Sequence, residues 1–87
     1  VPKIWAMAII NEKVLDIMLY LHDEPAHGYQ LYDDIDDISK GHVYQHLKEL
    51  REAGLIKVHE EETEGLQRKT YRLTENGEKL LEALGEI

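Results

Sequence analysis

The sequence predicts a mainly α chain with one small β-hairpin, in the order helix, helix, helix, hairpin, helix. Three observations carry this. Apolar residues recur at helical spacing through residue 53 and again after residue 74. Between them, after Gly54, the period changes to two. The chain has 87 residues, of which 43% are hydrophobic and 32% charged. That length buries about 64% of the unfolded surface, enough for one small core, so residues 1–87 read as a single domain. The apolar content is too high for a disordered chain.

The first element spans about Ile4 to His22, with Val14, Ile17, Met18 and Leu21 on one stripe widened by Leu15 and Leu19. Asn11 either caps this helix or lies inside it. The stretch Ile4–Ile10 is apolar on every face and must be covered all round. In so small a chain a partner copy is the natural cover, the alternative being a terminal segment folded over its own core. Pro25 disfavours helix in the residue before it and ends the first element. A second helix is expected over Gly28–Asp37, with Leu31, Tyr32 and Ile35 inward and Asp33, Asp34, Asp36 and Asp37 outward. Ser39 is placed to cap a third helix, Lys40–Ala53, whose inner stripe is Val43, Leu47 and Leu50. Gly54 then takes the left-handed position that closes a helix.

Leu55–Glu60 alternates as a half-buried strand, Glu62–Gly65 reads as a turn, and Gln67–Leu73 as the returning strand, giving a hairpin over residues 56–73. Thr74 caps a last helix with Leu80, Leu81 and Leu84 on one side. This order is that of a winged helix-turn-helix, in which the third helix enters the DNA major groove and the hairpin reaches the flanking backbone.

Three stretches extend the likeness. Pro25-Ala26-His27-Gly28-Tyr29-Gln30-Leu31 resembles the P-x-H-G-Y-x-L stretch of the PadR family of winged-helix regulators. Gly41-His42-Val43-Tyr44 followed by Leu47, Leu50 and Gly54-Leu55-Ile56 is similar to its G-x-V-Y-x-x-L-x-x-L-x-x-x-G-L-I. Arg68 to Gly77 is similar to its R-K-x-Y-x-L-T-x-x-G. The resemblance spans about Val14 to Leu84 and implies a dimeric, sequence-specific regulator of transcription that binds double-stranded DNA, usually a repressor. Two departures stand out. The link Asp37–Lys40 is short, and the wing tip Glu60-Glu61-Glu62-Thr63-Glu64 is acidic where family wings are commonly basic. With the chain stopping at Ile87, dimerisation is expected to rest on residues 1–10 and 74–87, through Ile4, Trp5, Met7, Ile9, Leu81 and Leu84.

On the third helix, Lys40, His42, Gln45, His46 and Glu49 face away from the apolar stripe. Gln pairs with adenine, and Lys or protonated His donates to guanine. Tyr44, Lys48 and Arg51 lie towards one edge, as candidates for backbone contact. Arg68 and Lys69 are the wing candidates, the plainer reading being that they pair with the wing glutamates. His42 and His46 stand four apart, as two metal ligands on a helix would, but no third ligand is evident, and no metal or cofactor is expected. His27 reads as a packed or capping residue, and Tyr29, Tyr32 and Tyr71 as core. Trp5 is expected to pack at the dimer seam, and the family resemblance implies that it could also line a site there for a small aromatic effector.

The net charge of −8 at first opposes DNA binding. Its distribution changes that. Residues 39–53 carry +1 and residues 54–73 are neutral, while residues 11–38 and 74–87 hold the excess acid. Phosphate contact depends on the few cations that touch the backbone, so the acidity predicts weak non-specific binding. The acidic surface also keeps open a rival reading, a winged helix that contacts a basic protein partner. No cysteine is present for a disulfide, thiolate metal site or nucleophile, and no glycine-rich phosphate loop occurs, so an enzyme is not expected. No apolar run approaches the ~18 residues of a membrane span, and the expected location is the cytoplasm.

Overall fold

A computed structural model describes residues 11–62 and 68–87. Helix α1, Glu12–Asp23, begins where Asn11 turns the chain in: its Oδ1 accepts from the Val14 amide at 3.1 Å. Asn11 is therefore a cap, not an interior residue, and the helix starts there rather than running on from Ile4. The apolar stretch Ile4–Ile10 lies outside the described residues. Val14, Ile17, Met18 and Leu21 are buried, as their spacing requires.

Ala26–His27 form a two-residue strand, β1, which pairs with a later strand. The sequence reading did not include it. Helix α2 follows at Gly28–Asp34, three residues shorter at its C-terminus than the spacing predicted. The chain leaves helix at Ile35, whose backbone is extended at φ −97° and ψ 125°, and turns at Asp37, which adopts a left-handed φ of 56°. Aspartates compete with the helix for backbone hydrogen bonds, and three of the four residues Asp34–Asp37 are of that type. Two long-range bonds hold this segment. The Lys13 ammonium donates to the Asp36 carbonyl at 2.7 Å, and the Tyr20 hydroxyl donates to the Asp34 carboxylate.

Helix α3, Lys40–Glu52, is capped by Ser39, whose Oγ accepts from the His42 amide at 3.2 Å. Ala53 is the C-terminal cap. Gly54, at φ 76°, reverses the chain so that its own amide reaches the Arg51 carbonyl and the Leu55 amide the Leu50 carbonyl, both at 3.0 Å. Strands β2, Ile56–Glu62, and β3, Arg68–Leu73, pair antiparallel, and β1 adds to the other edge of β3, giving the sheet order β1-β3-β2. Pairing runs two residues beyond the predicted end of the first strand. It crosses a β-bulge between Val58 and Glu60, after which Glu60 faces Thr70, Glu61 faces Lys69 and Glu62 faces Arg68. Of the predicted turn, Glu62 is still strand, and residues 63–65 lie outside the described residues.

Helix α4, Glu75–Ala83, is capped by Thr74, whose hydroxyl accepts from the Gly77 amide at 3.2 Å and donates to the Gly54 carbonyl at 2.7 Å. Leu81 is fully buried and joins one core with Val14, Ile17, Met18, Leu31, Val43, Leu47, Leu50, Ile56 and Leu73. Among the described residues, four helices and a three-stranded antiparallel sheet make this a winged helix. Among the described residues no helix is long and apolar enough to cross a membrane.

The Tyr20 phenol is pushed up from 10.0 to about 12, first by its hydrogen bond to Asp34, then by desolvation and by the charges of Asp34 and Glu24. The folded state thus keeps a proton that the unfolded chain loses between these values. The contribution to stability is complete below pH 10 and falls away as pH rises to 12. The pair is exposed, so the effect is small. Urea midpoints taken at about pH 9 and about pH 11.5 are expected to differ less in Tyr20→Phe than in the parent; equal differences would remove Tyr20 from the alkaline response.

Candidate nucleic-acid interface

The third helix of the fold is fixed from beneath. Val43, Leu47 and Leu50 are buried to 1% or less of their surface, so the opposite face of α3 is held outward with little freedom to roll. Lys40, His42, Gln45, Lys48 and Arg51 are exposed on it, and Tyr44 is 45% exposed. His46 differs: it is half-buried, and its Nδ1 is enclosed 3.4 Å from a carboxylate oxygen of Glu49, without a hydrogen bond. Its ring lies 6.3 Å from that of His42 at an interplanar angle of 27°. Among the described residues no three His, Cys, Asp or Glu side chains gather as a metal would need.

The edge residues of α3 do not stand free. Tyr44, Leu47, Lys48, Arg51 and Glu52 form one wall of a groove of about 400 Å³ whose floor is Tyr71 of β3. Adjoining it, and sharing Tyr44 and Tyr71 with it, is a cleft of about 210 Å³ lined also by His27, Gly28, Tyr29, Glu61 and Lys69. Two of the predicted backbone contacts, Lys48 and Arg51, therefore share one concavity, and Lys69 lies along its extension, with Tyr44 at the join.

The segment before α2 has a physical reading. Ala26 is fully buried and pairs with Tyr71, which ties the segment to the sheet. His27 caps α2: its Nδ1 accepts from the Gln30 amide at 3.2 Å while the Gln30 side chain accepts from the His27 amide at 3.1 Å. Because Nδ1 accepts, the capping ring is the neutral form with its proton on Nε2. Gly28 lies directly under Tyr44, and a Cβ there would sit 2.6 Å from Tyr44 Cε1. The glycine thus makes room for the ring that joins the two halves of the groove.

Some expected placements are corrected. Tyr29 and Tyr32 are not core residues: they are 54% and 39% exposed, while Tyr71 is buried at 8%. The inner row of the short α2 is Gly28 and Leu31, with Ile35 following, which leaves Tyr29 and Tyr32 on its flank. Tyr29 thereby lines the cleft, a placement the sequence reading missed; the signal was its position directly after a capping residue and a small buried one. Leu81 was expected at a dimer interface, yet it is wholly enclosed in the core of its own chain and offers no surface to a partner. Leu84 is 41% exposed and Ile87 44%. Ile4, Trp5, Met7 and Ile9 lie outside the described residues, and with Trp5 the expected effector wall. The Arg68 backbone pairs with Glu62 at the end of the described ladder, and its side chain lies outside what the structure describes.

The sequence model of the transcriptional regulator PadR-like family matches residues 17–83. No curated protein sequence matches the chain. Among solved structures, a regulator assigned to the MarR family from Porphyromonas gingivalis W83 is 30% identical, with 98% of this chain and 83% of that one covered and a TM-score of 0.80. A PadR family transcription regulator from Clostridium difficile R20291 is 26% identical over 87% of this chain and 85% of that one, with a TM-score of 0.72. A PadR-like transcription factor from Bacteroides fragilis is 34% identical over 79% and 72%, with a TM-score of 0.70. Motifs, fold and a family match over most of its length agree: the chain belongs to the PadR-like family of transcriptional regulators, DNA-binding proteins and not enzymes.

Proposed function

We propose that this regulator acts as a homodimeric, sequence-specific repressor, with α3 in the major groove and the β2–β3 hairpin as the wing beside the flanking backbone. The observation that carries the reading is the outward face of α3. Its apolar stripe is wholly used in the core, while Lys40, His42 and Gln45 stand exposed at its N-terminal end and Lys48 and Arg51 line the adjoining groove. The polar tips suit base edges and the grooved cations suit phosphates. His46 is a weaker reader than its neighbours, since one ring nitrogen is turned inward. Leu84 and Ile87 on the exposed end of the chain suit a second copy, which would set two reading helices about one helical turn apart.

The test is fluorescence anisotropy with DNA selected from a random pool, read at about 50 and about 200 mM salt, with the number of chains per duplex measured alongside. Preferential binding of one sequence by two chains is the expected result. No preference at low salt would sink the reading, and one chain per site would remove the dimer. Within this assay Gln45→Ala is expected to reduce discrimination at one base position by about 1–3 kcal/mol while leaving the salt slope alone. An unchanged base preference would take Gln45 out of the readout.

A further inference from the structure

The two halves of the groove differ in charge. The larger half carries Lys48 and Arg51 with Glu52, while the smaller carries a single lysine, Lys69, and a single carboxylate, Glu61. Lys69 and Glu61 are not neighbours by chance of side-chain reach. They are directly opposed in the ladder, where partner side chains stand about 5 Å apart at Cβ. The bulge sets which glutamate takes this place. Uninterrupted pairing from Val58–Tyr71 would put Glu60 opposite Lys69; the extra residue advances β2 by one, so Glu61 enters the cleft and Glu60 pairs with Thr70 instead.

Resting on the DNA-binding reading above, we infer that Glu61 cancels Lys69 and so keeps the wing side of the groove from holding a phosphate, leaving backbone affinity to the α3 side. The carboxylate and the ammonium line the same cleft without forming a direct ion pair, and from there the carboxylate offsets the ammonium's field on an incoming strand and repels the strand itself. The consequence is a shallow salt slope and weak non-specific binding, set by one residue at a defined position rather than by the net charge of −8. The acidic wing is then a device that limits affinity, with its active member on the cleft face.

The experiment is anisotropy with a selected duplex and with a scrambled one, for the parent, E61Q, E60Q and E61Q/K69A. E61Q should bind both duplexes roughly fivefold tighter at 0.1 M salt, with the salt slope steeper by about 0.9, the value of one released counterion. E60Q removes the same formal charge from a residue paired with Thr70 and should change affinity less than twofold. E61Q/K69A should return to within about twofold of the parent, since the gain depends on the freed ammonium. Equal gains in E60Q and E61Q would show only net charge and overturn the inference, as would a gain that persists in E61Q/K69A or no gain in E61Q. Any of these leaves the DNA reading standing if the parent binds. Absence of binding by parent and E61Q alike would overturn that reading and the inference with it.

Discussion

Gly77→Ala is expected to lower the melting temperature by roughly 15 °C, because its methyl would meet the tightest contact among the described glycines. A Cβ at Gly77 would stand 2.3 Å from the Leu55 carbonyl oxygen and 3.0 Å from Leu73 Cδ2. The oxygen cannot step aside, because it also accepts from the Thr74 amide at 3.0 Å. One residue back, the Gly54 carbonyl accepts from the Thr74 hydroxyl at 2.7 Å. The end of α3 and the start of α4 are thus clasped through backbone atoms, and a methyl group must push them apart. Overpacking of this kind costs about 3 kcal/mol, and in a domain of this size each kcal/mol moves the midpoint by about 4–8 °C. Thermal unfolding followed by circular dichroism checks this, with exposed Asn76→Ala as a control expected to stay within about 0.5 kcal/mol. A Gly77→Ala midpoint within about 3 °C of the parent would mean that the clasp yields readily.

The double variant Lys48→Ala/Arg51→Ala is expected to weaken DNA binding roughly 50-fold at 0.1 M salt and to reduce the salt slope by about 1.8. Both side chains line the groove of about 400 Å³ beside α3, on a helix whose position the core fixes. If they meet phosphates, each releases about one counterion, and the loss should be nearly the same for selected and scrambled duplexes. That uniformity separates them from Gln45, whose loss should depend on sequence. The check is anisotropy over a salt series. A loss below about threefold with the slope unchanged would place the DNA strand elsewhere.

Much of the fold was legible because its signals are local. Ser39, Gly54 and Thr74 act at the helix ends they mark, through bonds to amides or carbonyls within a few residues. The stripes of α1 and α3 are buried as their period requires. What was not legible depends on pairing across the chain. Ala26–His27 are extended because Tyr71 and Thr70 lie beside them, and two residues are too few for a period to show. The bulge likewise has no local mark: His59, Glu60 and Glu61 are equally polar, and only the ladder decides which one is inserted. α2 fell short of its predicted length because the aspartates of residues 34–37 compete for its backbone, and so short a helix has few inner positions, which left Tyr29 and Tyr32 with their rings on the flank. Of the candidate interface, the reading-face residues were visible from their position opposite the stripe. The groove that gathers Tyr44, Lys48 and Arg51 over Tyr71 needed the sheet in place.

The sheet order β1-β3-β2 puts the latest strand in the middle. A ribosome therefore delivers both outer strands before the strand that joins them. Until residues 68–73 emerge, Ala26–His27 and Ile56–Glu62 have no ladder partner, and Leu81, needed to complete the core, is later still. The apolar face of α1 must wait incompletely covered until those elements are made. The core is closed only by its later-made elements, and α1 is the part that a nascent-chain chaperone would meet before they emerge.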